Sequence, residues 1–254
     1  MSPAPQNNLL RHLRSADLER LKPHLEPVPA KVGQVLYEPG EDVRQAYFPC
    51  GLAMVSYIVR LEPGRDVETV LVGREGAVGG IVSEGHLPAF SRCIVQTAGD
   101  LLRVDVSLLE QAKQQSAAVA QIMARYADCL MAQVFQSVAC NAAHSIEQRT
   151  AKWLVAAIDR TGDRSVTLTQ EQLASMLGVG RSYISRVLGR LKEEGLLETR
   201  RGRLQVTDLP ALGRMACDCH RRVRQHFDTV LGGVYPSAEE SAALIMNVPV
   251  QNGG

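Results

Sequence analysis

The sequence has no segment suited to crossing a bilayer, because no apolar run approaches the ~20 residues a spanning helix needs. The first twenty residues, MSPAPQNNLLRHLRSADLER, lack the apolar core of a secretory signal. Cysteine is scarce. Six in 254 residues cannot staple a disulfide scaffold, so a reducing cytoplasm is expected. Net charge is nearly absent at +1, and the whole-chain balance therefore names no partner. No local motif combines a nucleophile, a base and an orienting group, so no enzymatic activity is expected. What remains is 45% hydrophobic and 22% charged residues, an ordinary globular composition in a chain long enough for two domains.

The neutral average conceals an asymmetry. Residues 181–224 hold eleven Arg and Lys against five Asp and Glu, a local charge of +6, and the rest of the chain carries −5. A basic end on a mildly acidic body fits a polyanion, or else a solvated surface.

The texture changes along the chain. A short amphipathic helix is expected over about 7–25, with Ser15 capping Ala16–Leu25. From about 28 to 106, short β-prone runs alternate with turn clusters. The runs are Gln34–Tyr37, Met54–Val59, Glu68–Val72, Cys93–Thr97 and Leu101–Val106, and Glu62-Pro63-Gly64-Arg65 is one of the turns. Strands this short and close suggest a compact β-barrel, sandwich or roll. Neither Gly nor Pro occurs from Asp105 to Arg160, and the only charges within Gln115–Ala143 are Arg125 and Asp128. Val119, Ile122, Met123, Tyr126, Leu130, Val134 and Val138 recur near the helical period. So weakly charged a helix should cover the β domain with one face and a second copy of the chain with another, or else lie in the core of a monomer. The dimer seam is placed on Val119, Ile122, Met123, Tyr126, Leu130 and Val134, with Cys129 and Cys140 read as packing residues. A further helix follows over about 146–160, with Ser145 and Gln148 at capping-box spacing.

The informative stretch is VTLTQEQLASMLGVGRSYISRVLGRLKEEGLLETRRGRLQV, residues 166–206. Thr169 and Gln172 make a second capping box before a helix of about 170–177. Gly178-Val179-Gly180 is a tight turn, and a second helix runs from Arg181 to Glu194 until Gly195 stops it. Its inner stripe is Ile184, Val187, Leu188 and Leu191. Two β-like runs around Arg200-Arg201-Gly202-Arg203 complete a winged helix-turn-helix. A helix of this girth enters the major groove, where its N-terminal side chains reach base edges while the basic wing holds phosphates. Double-stranded DNA is the expected partner. The alternative is a winged helix used as a protein-binding adaptor. Arg181, Ser182 and Arg186 are the expected base contacts. Thr169, Gln170, Gly180, Tyr183, Arg201 and Arg203 are the expected backbone contacts, to which Arg221, Arg222 and Arg224 could add.

On these residues the sequence resembles the Crp/Fnr family of bacterial regulators over about 20–230, most specifically in LTQEQLASMLGVGRSYISRVLGRLKEEGLL. The stretches Lys31–Glu41 and Ala46-Tyr47-Phe48 match the family's early strands. The resemblance implies an α+β fold: an N-terminal antiparallel β-roll, a long dimerisation helix and a C-terminal winged helix-turn-helix. It implies a homodimeric regulator on a palindromic site, acting with RNA polymerase and without a membrane. The expected divisions are 1–106, 107–145, 146–231 and a patternless tail, 232–254. The family's base-reading R-E-x-x-x-R is Arg181-Ser182-Tyr183-Ile184-Ser185-Arg186 here, so Ser182 replaces the acid and the half-site should differ.

The resemblance also implies sites that this sequence lacks. Cyclic-nucleotide sensors of the family use a Gly-Glu and a following Arg-Ser or Arg-Thr. Here the first reads Val78-Gly79-Gly80-Ile81, and the second is reversed as Ser91-Arg92. Reversal on a strand sends the guanidinium to the other face, so a cyclic nucleotide is not expected. No cysteine precedes Cys50, so the family's N-terminal iron–sulfur cluster is not expected either. His86 is a haem ligand by type only and is read as a solvated loop residue. Cys217-x-Cys219-His220 groups three soft ligands on a helix expected over 209–231, capped by Asp208. There residues 217 and 219 would point roughly 160–200° apart and could not share an ion. No cofactor or metal is therefore expected. Control by a non-nucleotide or redox signal, or by none, stays open.

Overall fold

The computed structural model describes residues 6–62, 65–83, 85–200 and 202–237. Arg201, the Pro63-Gly64 turn and most of the expected tail, 238–254, lie outside the described residues.

The chain begins with α1 (Asn8–Arg11) and α2 (Ser15–Leu21), joined through a 3-10 turn (Lys22–His24) to the roll. The single helix expected here is thus two. Asn7 rather than Ser15 supplies the cap: its Oδ1 accepts from Leu10 N, and its buried Nδ2 donates to Pro49 O and Gly76 O, both at 2.8 Å.

The roll contains β1 (Glu26–Ala30), β2 (Val35–Tyr37), β3 (Gln45–Pro49), β4 (Met54–Glu62), β5 (Arg65–Val72), β6 (Val78–Gly79), β7 (Arg92–Thr97) and β8 (Gly99–Asp105). Two antiparallel sheets, ordered β1-β8-β3-β6 and β2-β7-β4-β5, face each other. Val55, Val72, Val78, Cys93, Val95 and Leu101 fill the space between them. The β-prone runs expected from sequence lie on strands apart from their terminal residues. No β-prone run was expected over β1, which carries Pro27 and Pro29. Prolines are tolerated on an edge, and among the described residues β1 pairs only with β8.

Beyond the roll come α3 (Val106–Gln115), α4 (Ala117–Ala143) and α5 (Ile146–Thr161). The long α4 lies on the chain's own body with one face. Val119, Met123, Tyr126 and Cys129 are buried with Leu9, Leu10 and Phe48. Tyr126 donates its hydroxyl to Ala77 O at 2.9 Å, and Gln133 donates its amide to Leu71 O at 3.0 Å. Gly76 must lack a side chain, since a Cβ there would stand 2.1 Å from the Tyr126 hydroxyl.

This packing corrects the expected dimer seam. Val119, Met123 and Tyr126 are enclosed by their own chain, Ile122 and Leu130 sit at the margin of that core, and Val134 alone of the six is open. The helical period marks an apolar face but not the body that covers it. The open apolar stripe is instead Met131, Val134, Phe135 and Val138, with Phe135 and Val138 each 65% exposed.

The winged domain follows as β9 (Ser165–Thr167), α6 (Gln170–Leu177), α7 (Arg181–Glu193), β10 (Leu197–Arg200), β11 (Arg203–Val206) and α8 (Leu209–Met215). The helix expected over 209–231 is corrected. Asp208 does cap α8, but Ala216 is extended (φ −65°, ψ 149°), and the chain restarts as α9 (Cys219–Val230). The break lets Val223, Phe227, Leu231, Val234 and Tyr235 return to the α4 and N-terminal core. A continuous helix would leave that stripe in water. Among the described residues, no helix is long and apolar enough to cross a membrane.

Arg160 and Trp153 make polar contacts that join α5 to the roll. Arg160 and Glu75 form an ion pair at 2.7 Å, each only 2% exposed. Arg160 also donates to Leu71 O and Ala156 O, both at 3.1 Å, and lies over the Tyr235 ring. Glu75 accepts from Gly73 N. Trp153 donates its indole N–H to Glu68 at 2.8 Å, and Ser56 donates to the other Glu68 oxygen. Loss of water around Glu68 pushes its carboxyl above the usual range, and these two donors partly oppose the rise.

Removing one charge of a buried pair strands the other, at a cost of about 3–5 kcal/mol. Glu75→Gln should therefore lower unfolding stability in urea by about that much, whereas Glu198→Gln, on the exposed pair with Arg200, should leave the midpoint unchanged. A carboxyl whose folded pKa is raised contributes stability below its unfolded pKa. That contribution is lost as pH rises through the folded value. Trp153 is the chain's single tryptophan. Its emission should titrate with a midpoint above the ordinary glutamate value of about 4.3, and Glu68→Gln should abolish that titration.

Candidate nucleic-acid interface

The winged domain is assembled from local signals that agree with one another. Thr169 Oγ1 accepts from Gln172 N while the Gln172 side chain returns to Thr169 N, which seals the start of α6. Gly178 ends α6 in the left-handed region (φ 70°), where a side chain would be strained. Leu173, Ala174, Leu177, Ile184, Val187, Leu188 and Leu191 form the inner surfaces of α6 and α7 and are buried together. This apolar stripe fixes the roll of α7 about its axis. Ser182, Arg186, Arg190 and Glu193 are thereby left on the exposed side.

The N-terminus of α7 is open. Gly180 occupies the cap position, and no side chain caps the first turn. The adjacent α5 and α6 both carry complete capping boxes. Uncapped N–H groups and the positive end of the helix dipole suit an anionic oxygen.

The wing is a hairpin with Leu197 opposite Val206 and Arg200 opposite Arg203, extended to three strands by β9. Leu197, Leu204 and Val206 anchor it in the core. The tertiary fold gathers Thr169, Gln170, Arg181, Thr199, Gly202 and Leu204 around one groove of about 360 Å³. Two of the expected contacts carry a qualification. Arg201 lies outside the described residues. The Tyr183 hydroxyl donates to Glu147 at 3.3 Å. Its ring supports the Arg186 guanidinium at 5.2 Å, so Tyr183 positions Arg186. Arg190 lies 3.8 Å from the same Glu147 carboxylate. That carboxyl is held below the usual range first by its own backbone N–H, then by Ser145 and Tyr183. Sequence spacing could not have linked Glu147 to α7, because the two meet only when α5 packs across it.

The roll holds a second feature, a cavity of about 300 Å³ lined by Tyr37, Tyr57, Gly79, Gly80, Leu87 and Ser91 among others. Tyr37 donates to Tyr57, whose hydroxyl accepts from Gly79 N. Among the described residues, no charged side chain lines it. Arg92 is engaged by Glu38 at 2.8 Å and contributes nothing to the lining. His86 is largely exposed and sits 3.6 Å from Asp42.

Residues 148–215 match the family described as the Crp-like helix-turn-helix domain. The chain is similar in structure to FixK2 from Bradyrhizobium japonicum (16% identity, TM-score 0.64, 76% of this chain and 98% of that one). It is similar also to the c-di-GMP-responsive global regulator CLP of Xanthomonas campestris (17%, 0.63, 77% and 100%). A CRP-family transcriptional regulator of Thermus thermophilus matches at 24% identity and TM-score 0.62, over 75% and 96%. At these identities the likeness establishes the fold. A comparison with curated proteins finds no match.

Proposed function

We propose that this chain, which carries a Crp-like helix-turn-helix domain on the Crp/Fnr fold, is a cytoplasmic transcription regulator that binds a two-fold DNA site as a homodimer. The observation that carries the reading is the outer face of α7. Arg181, Ser182 and Arg186 stand exposed beside an uncapped helix start, with the basic wing alongside. In this reading Arg181 and Arg186 donate to base edges, and Ser182 reads its base with less discrimination than an acid would. Arg203, Gln170 and the α7 N–H groups hold phosphates. Two such helices need a spacing of about 34 Å, one turn of the duplex. The open stripe of Met131, Val134, Phe135 and Val138 supports a second copy of α4 as the partner that sets this spacing. The output falls on RNA polymerase at a promoter. Among the described residues the roll cavity has no charged lining, which favours, as a gate, an effector without a phosphate.

Selection of DNA fragments by the purified protein should return a two-fold motif, and affinity for it should fall steeply with salt. Arg186→Ala should cost about 1–3 kcal/mol against that motif and spare non-specific binding, whereas Arg203→Ala should weaken all sequences alike. Fluorescence anisotropy on matched and scrambled duplexes separates the two. Absence of any duplex binding at low salt would overturn the reading in favour of a protein-binding adaptor. Phe135→Asp should yield a monomer by light scattering and lose motif affinity with it. A variant that stays dimeric would place the seam elsewhere.

A further inference from the structure

Where the winged domain meets the end of α4, four side chains with metal-binding atoms converge. Cys140 and His144 are one helical turn apart at the C-terminus of α4, with His144 N donating to Cys140 O at 3.1 Å. Cys217 lies in the break between α8 and α9, and Cys219 is the first residue of α9. The expectation that residues 217 and 219 point apart on one helix is corrected by that break, which brings both thiols to the same side. The four ligand atoms, three Sγ and one imidazole nitrogen, all lie within 4.8 Å of one another. His220, grouped with these cysteines by sequence, faces away and pairs with Asp159 at 2.9 Å.

The distances match one particular occupant. A tetrahedral zinc ion with Zn–S of about 2.3 Å and Zn–N of about 2.05 Å has S···S edges of about 3.8 Å and S···N edges of about 3.6 Å. Here Cys140 Sγ lies 3.6 Å from Cys217 Sγ, and Cys219 Sγ lies 3.5 Å from His144 Nδ1. The S···S distance is far longer than a disulfide bond, and all the cysteines are free. The three cysteines are buried, and among the described residues they form a small core cluster of their own. A second layer is present too. The Gln136 amide donates to Cys219 Sγ at 3.1 Å, as donors to metal thiolates do. Arg149 is buried, within electrostatic reach of Cys140 and Cys217, and its Nε has no hydrogen-bond partner among the described residues. Three thiolates and a neutral imidazole around Zn²⁺ leave one negative charge, and this guanidinium balances it.

We propose that Cys140, His144, Cys217 and Cys219 form a structural zinc site of the three-cysteine, one-histidine type. The ion replaces three thiol protons and closes a tetrahedron with no open position. It ties the end of α4 to the segment that leaves the winged domain. The site is independent of which DNA, if any, the chain binds.

The test is metal analysis of the full-length protein purified without chelator or reductant. One zinc per chain is expected, released on modification of the thiols. Exchange with Co²⁺ should give the intense visible bands of a tetrahedral thiolate site. Cys217→Ser and His144→Asn should each lose the zinc or weaken its retention at least tenfold against a competing chelator, while Cys50→Ser keeps it. Because those variants could misfold, the wild-type stoichiometry and the Co²⁺ spectrum decide the matter without them. Less than a tenth of an equivalent of zinc with no Co²⁺ spectrum would overturn the proposal. So would a Cys140–Cys217 disulfide as the purified state, or iron with inorganic sulfide in place of zinc.

Discussion

The Arg160–Glu75 pair is the constraint around which the two halves of the molecule are arranged. A guanidinium so deeply buried is tolerated only with its donors satisfied, and each donor direction here points at a different part of the chain. Nε meets Glu75 beyond β5, Nη2 meets Leu71 on β5, and Nη1 meets Ala156 within α5. The aromatic face of Tyr235 closes the remaining side. The roll, the entry helix of the winged domain and the C-terminal segment therefore share one polar centre. Gly73 is small for the same reason: a Cβ there would come within 2.9 Å of the Glu75 carboxylate.

That centre dictates how α4 is used. With α5 locked onto the roll and α9 folded back beside α4, the face bearing Val119, Met123 and Tyr126 is consumed by the chain's own core. The face bearing Phe135 and Val138 is left over. The end of the same helix presents Cys140 and His144 to the α8–α9 break. One weakly charged helix thus serves a core, an open apolar stripe and a cysteine–histidine cluster on successive parts of its surface. A change at its C-terminal end is placed to reach the winged domain, because α5 begins only two residues beyond His144.

The outer face of α7 depends on similar economy. Ile184, Val187, Leu188 and Leu191 set the roll of α7, and the exposed face follows without further instruction. Tyr183 and Glu147 then trim what that face presents: one props Arg186, and the other holds Arg190 near the α5 terminus.

The residues that spoke clearly in the sequence are those whose partners are near in the chain. Both capping boxes, the Gly178 turn, the inner stripe of α7 and the basic hairpin rest on spacings of three or four residues, and they were legible as a winged helix-turn-helix. The same holds for most strands of the roll, whose alternation is local. The strand at Glu26–Ala30 was not legible, because its two prolines are acceptable only on an edge, and an edge is a property of the sheet. Periodicity along α4 announced apolar faces, but it carries no information on whether self or a second copy covers them. Burial assigned Val119, Met123 and Tyr126 to the self side. The break after Met215 was equally silent. It exists because Phe227 and Tyr235 gain more by returning to the α4 core than by continuing a helix into water. With that turn the thiols of Cys217 and Cys219, which a straight helix would hold apart, meet Cys140 and His144 some 75 residues upstream. Sequence by itself determined the local structure and the chemistry of the basic outer helix. Tertiary structure alone decided which faces remain open and which distant side chains meet, because those outcomes depend on competition for burial across the whole chain.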